Sequence, residues 1–96
     1  MVVDVCRLQL ILPENHSLKG KRSVVRSICA QVRQTFNVAI AEVEDHDVWQ
    51  VAGLGFAVIS NDGRHADRMV AEIVDFIERR AAAQLGAYEV EQLHPF

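Results

Sequence analysis

Seven residues near the start of the chain carry side chains suited to holding an anion: Arg7, Ser17, Lys19, Lys21, Arg22, Arg26 and Arg33. Ammonium and guanidinium groups bind phosphate by charge, and arginine adds a two-pronged hydrogen bond. No Asp or Glu occurs between residues 15 and 41, where five of the ten Lys and Arg residues fall. Residues 42–96 hold eleven acids against four bases. The charge is therefore segregated along the chain, although the net charge is only −3. That net charge argues against an indiscriminate polyanion binder and confines the expectation to one segment.

Other chemistry-bearing groups point to less. Glu42, Glu44, Asp45, His46 and Asp47 are metal-ligating types, but they lack ligand spacing and read as a polar hairpin loop. Asp62 and His65 sit one helical turn apart like an acid–base pair, yet no nucleophile or third member accompanies them. Cys6 and Cys29 fall on apolar faces and read as buried, reduced thiols. There is no phosphate-binding glycine loop, Cys/His cluster or nucleophile–base pair, so neither an enzyme nor any metal or cofactor is expected.

The basic residues need an element to position them, and residues 16–36 supply it. Pro13 stops the preceding apolar run and Ser17 is a good helix N-cap. Val25, Ile28, Cys29, Val32 and Phe36 then recur at helical spacing as a core-facing stripe. At about 100° per residue, Lys19, Arg22, Arg26 and Arg33 gather on one flank of that stripe. Lys21 is placed on its other side, near the helix start. The free N–H groups and positive dipole end of the first turn add to the anion-binding character. They also oppose the local cations, and Gly20 costs roughly another 0.5–1 kcal/mol relative to Ala. Asn37 is the expected left-handed residue at the far end.

The rest of the chain supplies a frame. Residues 2–12 alternate with period two, Cys6, Leu8, Leu10 and Leu12 on one face and Val5, Arg7, Gln9 and Ile11 on the other. Residues 38–44 form a second strand of ambiguous parity. Residues 49–60 form a third, with Leu54, Phe56 and Val58 facing the core and Gly53, Gly55 and Ala57 making the opposite face flat. A turn capped by Asn61 or Asp62 opens a second helix with the stripe Ala66, Met69, Val70, Ile73 and Ile77. That helix is expected to run out through Arg80 and an alanine run to a stop at Gly86, with a last strand over residues 88–93. Strand, helix, strand, strand, helix, strand is the α+β, ferredoxin-like βαββαβ order. Right-handed crossovers place both helices on one face of a four-stranded antiparallel sheet, with the first and third strands central. Residues 1–96 make a single domain. No secretory leader pattern precedes the first strand, and no apolar run approaches the ~18–20 residues of a membrane span. A cytoplasmic location without membrane contact is expected.

Residues 53–58 bear a partial likeness to the glycine–aromatic RNP1 pattern of RNA-recognition modules. Stacking needs aromatics on the open face, whereas Leu54 and Phe56 share the core parity. Nucleic-acid contact is expected through the first helix and Arg7 instead.

Several short motifs carry a family resemblance: Val2-Val3-x-Val5-Cys6-Arg7, Leu12-Pro13, Ser17-Leu18-Lys19-x-Lys21-Arg22, Phe36-Asn37-Val38, Ala41-Glu42-Val43, Trp49-Gln50, Leu54-Gly55 and Val58-x-Ser60-Asn61. In that order they resemble the YlxP-like family of small bacterial proteins, over almost the whole chain. The resemblance implies a ferredoxin-like fold and a frequent gene neighbourhood with translation initiation factor two and ribosome-binding factor A. It implies no molecular activity. Gly20 departs from the helix-favouring residue expected there. The functional expectation is an accessory factor that meets ribosomal RNA or a ribosomal subunit through the basic ridge. With about four phosphates engaged, the salt slope on single-stranded RNA is near −3. The alternative is a homodimer packed through the open sheet face, around Val5, Ile11, Val51 and Ile59.

Overall fold

Period-two alternation in the first dozen residues produces β1 (Val2–Ile11), with Leu8 and Leu10 almost completely buried beneath the helices. The computed structural model describes residues 1–80 and 83–96. After β1 come α1 (Leu18–Thr35), β2 (Ala39–Glu44), β3 (Val51–Ser60), α2 (Gly63–Glu78) and β4 (Gln84–Leu93). The strands form one antiparallel sheet in the order β2-β3-β1-β4, so β1 and β3 are central. The fold is the expected α+β, ferredoxin-like arrangement. Its core is the leucine face of β1 and the Leu54, Phe56 and Val58 face of β3, closed by the stripes of both helices.

The helix starts follow the sequence. Ser17 Oγ accepts from the Gly20 N–H at 2.9 Å, and Asp62 Oδ1 accepts from the Arg64 N–H at 2.9 Å. Each cap satisfies a backbone donor that the first turn leaves without a partner. Gly20 has a local reason. Asn15 folds its amide across the first turn, donating to the Ser17 and Trp49 carbonyls, and a Cβ at residue 20 would collide with its Oδ1. The glycine thus lets the β1–α1 loop close onto the β2–β3 connection.

Two local expectations are corrected, and one open parity is resolved. Asn37 is not left-handed: α1 is capped by Phe36 in extended conformation, and among described non-glycine residues only Asp45 and Phe96 have positive φ. The parity of β2 resolves with Ile40 buried and Glu42 turned inward beside it, while Ala39, Ala41 and Val43 face outward. Gly86 does not end a helix. It lies inside β4, which begins at Gln84 rather than residue 88, at a register shift opposite Gln9. A Cβ there would lie 3.0 Å from Gln9 Oε1 and 3.2 Å from its carbonyl oxygen, so this is a bulge glycine. Residues 81–82 of the expected alanine run lie outside the described residues.

Candidate anion-binding surface

The amphipathic α1 buries Val25, Ile28, Cys29 and Val32 against the sheet and turns its remaining circumference outward. Lys19, Arg22 and Arg26 stand exposed on one flank, and among the described residues no carboxylate pairs with any of them. They occupy the N-terminal half of the helix, beside the end where the backbone dipole is positive. Ser17 is engaged as the cap.

The other expected cations are placed differently. Lys21 is fully buried. Its Nζ donates to the carbonyls of Asp45 at 2.6 Å, His46 at 3.1 Å and Val51 at 3.3 Å, and lies 3.0 Å from Glu42 Oε2. An ammonium has three protons, and these carbonyls account for them. Glu42 Oε2 therefore has no aligned hydrogen bond and is held by charge alone. Lys21 is a clamp on the β2–β3 hairpin and leaves the proposed ridge. Arg33 donates from Nη2 to the Ile40 carbonyl, fastening the end of α1 to β2. Arg7 stands on the open sheet face between Glu44 and Glu89, 3.0 Å from each. Those two hydrogen-bonded carboxylates raise its already high pKa further. Held between two carboxylates on the sheet face, Arg7 stands apart from the exposed flank of α1 and is less available to an anion than the cations there.

The remaining constellations stay apart. Among the described residues no group of three or more His, Cys, Asp or Glu side chains gathers as a metal site. His46 turns its ring to the Glu42 carbonyl, and Asp62 is the α2 cap. Cys6 and Cys29 are free and buried. Burial, with the Asp4 carboxylate nearby, pushes the Cys6 thiol up to about 11, and burial also raises Cys29. Leu54 and Phe56 lie inside the core, so β3 offers no aromatic for stacking on the open face.

A family model described as a protein of unknown function, DUF503, matches residues 3–90, a span that starts in β1 and ends inside β4. The chain belongs to the DUF503 family. It is similar to the uncharacterized protein YlxP of Bacillus subtilis (strain 168), with 29% identity over 77 residues, or 80% of this chain and 84% of that one.

Two polar groups of this DUF503 chain escaped the sequence reading. Asp4, on the leucine face of β1, is completely buried. The Gln92 amide donates to Asp4 Oδ1 at 2.9 Å, to the Gly63 carbonyl at 3.1 Å and to Asp67 Oδ1 at 3.2 Å. Asp4 Oδ2 has no donor while both carboxyls are ionised, and a proton on Asp67 would supply one. A hydrogen bond to Asp4, helped by desolvation and repulsion, accordingly raises the Asp67 pKa. The parity of Asp4 was legible, but its partner lies 88 residues away in β4. The second group is Arg80, just beyond α2. Its guanidinium stacks 4.0 Å above the Phe76 ring centroid and donates from Nη1 to Gln31 Oε1 at 2.7 Å. Nothing local in the sequence ties residue 80 to residue 31.

Proposed function

We propose that this protein is a non-enzymatic, cytoplasmic accessory factor that binds ribosomal RNA or a ribosome-assembly intermediate through the exposed flank of α1. The observation that supports this is the strip of Lys19, Arg22 and Arg26, which among the described residues has no carboxylate partner in a chain that has acids to spare. Three phosphate contacts correspond to a log–log salt slope of about −2 on single-stranded RNA. That is shallower than the near −3 expected from the sequence, because Lys21, Arg33 and Arg7 are engaged elsewhere. The ribosomal address comes from the gene neighbourhood that the family resemblance implies, and the side chains speak only for phosphate.

Fluorescence anisotropy with a labelled RNA oligonucleotide, repeated from 50 to 300 mM salt, tests the reading. Arg22→Ala and Arg26→Ala should each weaken binding and flatten the slope by somewhat less than one. Absence of binding at low salt, or variants indistinguishable from the parent, would remove the proposal. Co-sedimentation with ribosomal subunits on a low-salt sucrose gradient, lost at high salt, addresses the ribosomal part.

A second reading has its own support. The sheet face away from the helices exposes Ile59 at 70%, Val43 at 49% and Leu93 at 41%. Exposed apolar patches of this kind mark interaction surfaces, and a second copy of the chain could cover this one. The Glu44–Arg7–Glu89 row crossing the face works against it, since burying those charges is costly. Sedimentation equilibrium at high micromolar concentration separates the two readings: a monomer leaves only the first.

A further inference from the structure

The flank of α1 opposite the basic strip borders a groove of about 510 Å³ between α1 and the end of α2, lined in part by Ser23, Ser27, Gln31, Arg79 and Arg80. Arg80 is fixed there by Phe76 and Gln31, its Nε is buried without a hydrogen-bond partner, and among the described residues no carboxylate pairs with it. Gln31 is held in turn by donating to Ser27 Oγ at 3.1 Å, which leaves the Ser27 hydroxyl proton free to point elsewhere. An arginine oriented by stacking and by a neutral amide keeps its full charge and presents it in a set direction.

Gln31 lies about 140° round the helix from Arg26, at about 100° per residue. The two cationic groups therefore flank the same stretch of α1. They are separated by roughly the 10–12 Å width of a helix with its side chains. Between them the exposed ridge carries Ser23, Ala30 and Gln34, which are small or uncharged. A single strand offers one line of phosphates and can follow one flank. A double helix offers two lines bordering a groove, and a groove about 12 Å across, as in the major groove of B-DNA, matches this spacing. In RNA the corresponding wide groove is the shallow minor one.

We infer that the polyanion is double-helical, its two phosphate rows straddling the α1 ridge, one on Lys19, Arg22 and Arg26 and the other on Arg79 and Arg80. This rests on the proposed RNA-binding role and names the class of ligand. Arg79 is paired with Asp75 at 3.0 Å, but both are mostly exposed, and such pairs exchange partners at little cost.

The test compares a 20-base-pair RNA duplex with one of its strands, chosen to lack internal pairing, by anisotropy over a range of salt. Five contacts predict a duplex slope of about −4.5, against about −2 for the strand. Arg80→Met, which keeps an aliphatic stem on Phe76, should lower duplex affinity roughly eightfold at 0.1 M salt and leave the single strand unchanged. Arg79→Ala, at an exposed position, should act in the same direction, so the outcome does not hang on one variant folding. Equal binding of duplex and strand, with both variants silent and Arg22→Ala still weakening both, overturns this inference and leaves the proposed function standing. Failure of either RNA to bind, or tighter binding of polyglutamate than of RNA, overturns both.

Discussion

Replacing Lys21 by methionine separates structural from binding roles most sharply. The substitution keeps an unbranched side chain one atom shorter and deletes its charge. Glu42, whose side chain is only 15% exposed, is left without its counter-ion, and the Asp45, His46 and Val51 carbonyls each lose a donor. Removing one member of a buried ion pair costs about 3–5 kcal/mol. The partial exposure of Glu42 and the position of the carbonyls at a hairpin, within reach of water, favour the lower end. About 3 kcal/mol is a large share of the ~5–15 kcal/mol that holds a domain of this size together. At ~4–8 °C per kcal/mol, the melting temperature should fall by roughly 12–24 °C.

Urea denaturation followed by circular dichroism would measure the loss directly. Lys21→Met combined with Glu42→Gln should recover part of it, because the second change removes the stranded charge. At a temperature where Lys21→Met is folded, its RNA affinity and salt slope should match those of the parent. A loss under 1 kcal/mol would refute the clamp. A flattened salt slope with normal stability would return Lys21 to the binding surface and refute the burial argument as well.

Three further outcomes follow from neighbouring groups. Lys19 sits in the first turn of α1, where a cation opposes the helix dipole; Lys19→Glu should therefore gain about 0.5–1 kcal/mol of stability while weakening RNA binding, and a lower melting temperature would contradict this. Arg7→Ala breaks two exposed pairs and should change stability by no more than about 1 kcal/mol, with RNA affinity unaltered; a drop in the salt slope would place Arg7 in the site. Asp67 has its pKa raised above 3.8, so the native state favours its protonated form. Its stabilising contribution is complete below pH 3.8 and is lost as pH rises through the raised value. Asp67→Asn should flatten that part of the stability–pH curve, and an unchanged curve would rule out the Asp4–Asp67 proton.

The order of elements was readable because each obeys its own period: two in β1 and β3, 3.6 in both helices, with Ser17 and Asp62 marking the starts. What failed were positions whose environment is set by a distant strand. Lys21 stands four residues before Val25 and seven before Ile28, which puts it within the apolar stripe rather than beside it. Spacing alone would have buried it. The reason a lysine can go there is Glu42, and Glu42 faces inward only because β2 pairs with β3 in one particular register. Glycine marks both helix ends and strand bulges, so the sequence alone presents Gly86 as a helix stop. Only the Leu8-to-Leu10 register shift tells the two apart. Arg80 and Gln31 were invisible to each other for the same reason as Asp4 and Gln92: their meeting is a product of the fold.

This sorting also explains why the basic segment should not be counted as one surface. The cations that point toward the acidic half of the molecule are taken up by it. Lys21 goes to Glu42 and the hairpin, Arg7 to Glu44 and Glu89, and Arg33 to a carbonyl of β2. Each of these contacts ties its own helix or strand to another element of the fold, which is what structural charges do. Among the described residues Lys19, Arg22 and Arg26 pair with no carboxylate, and Lys19 sits in the first turn of a helix whose dipole it opposes. An acid at residue 19 would stabilise α1 and would break no ion pair found among the described residues. The exposed cations that make no ion pair among the described residues are therefore the ones on which the proposed binding role rests.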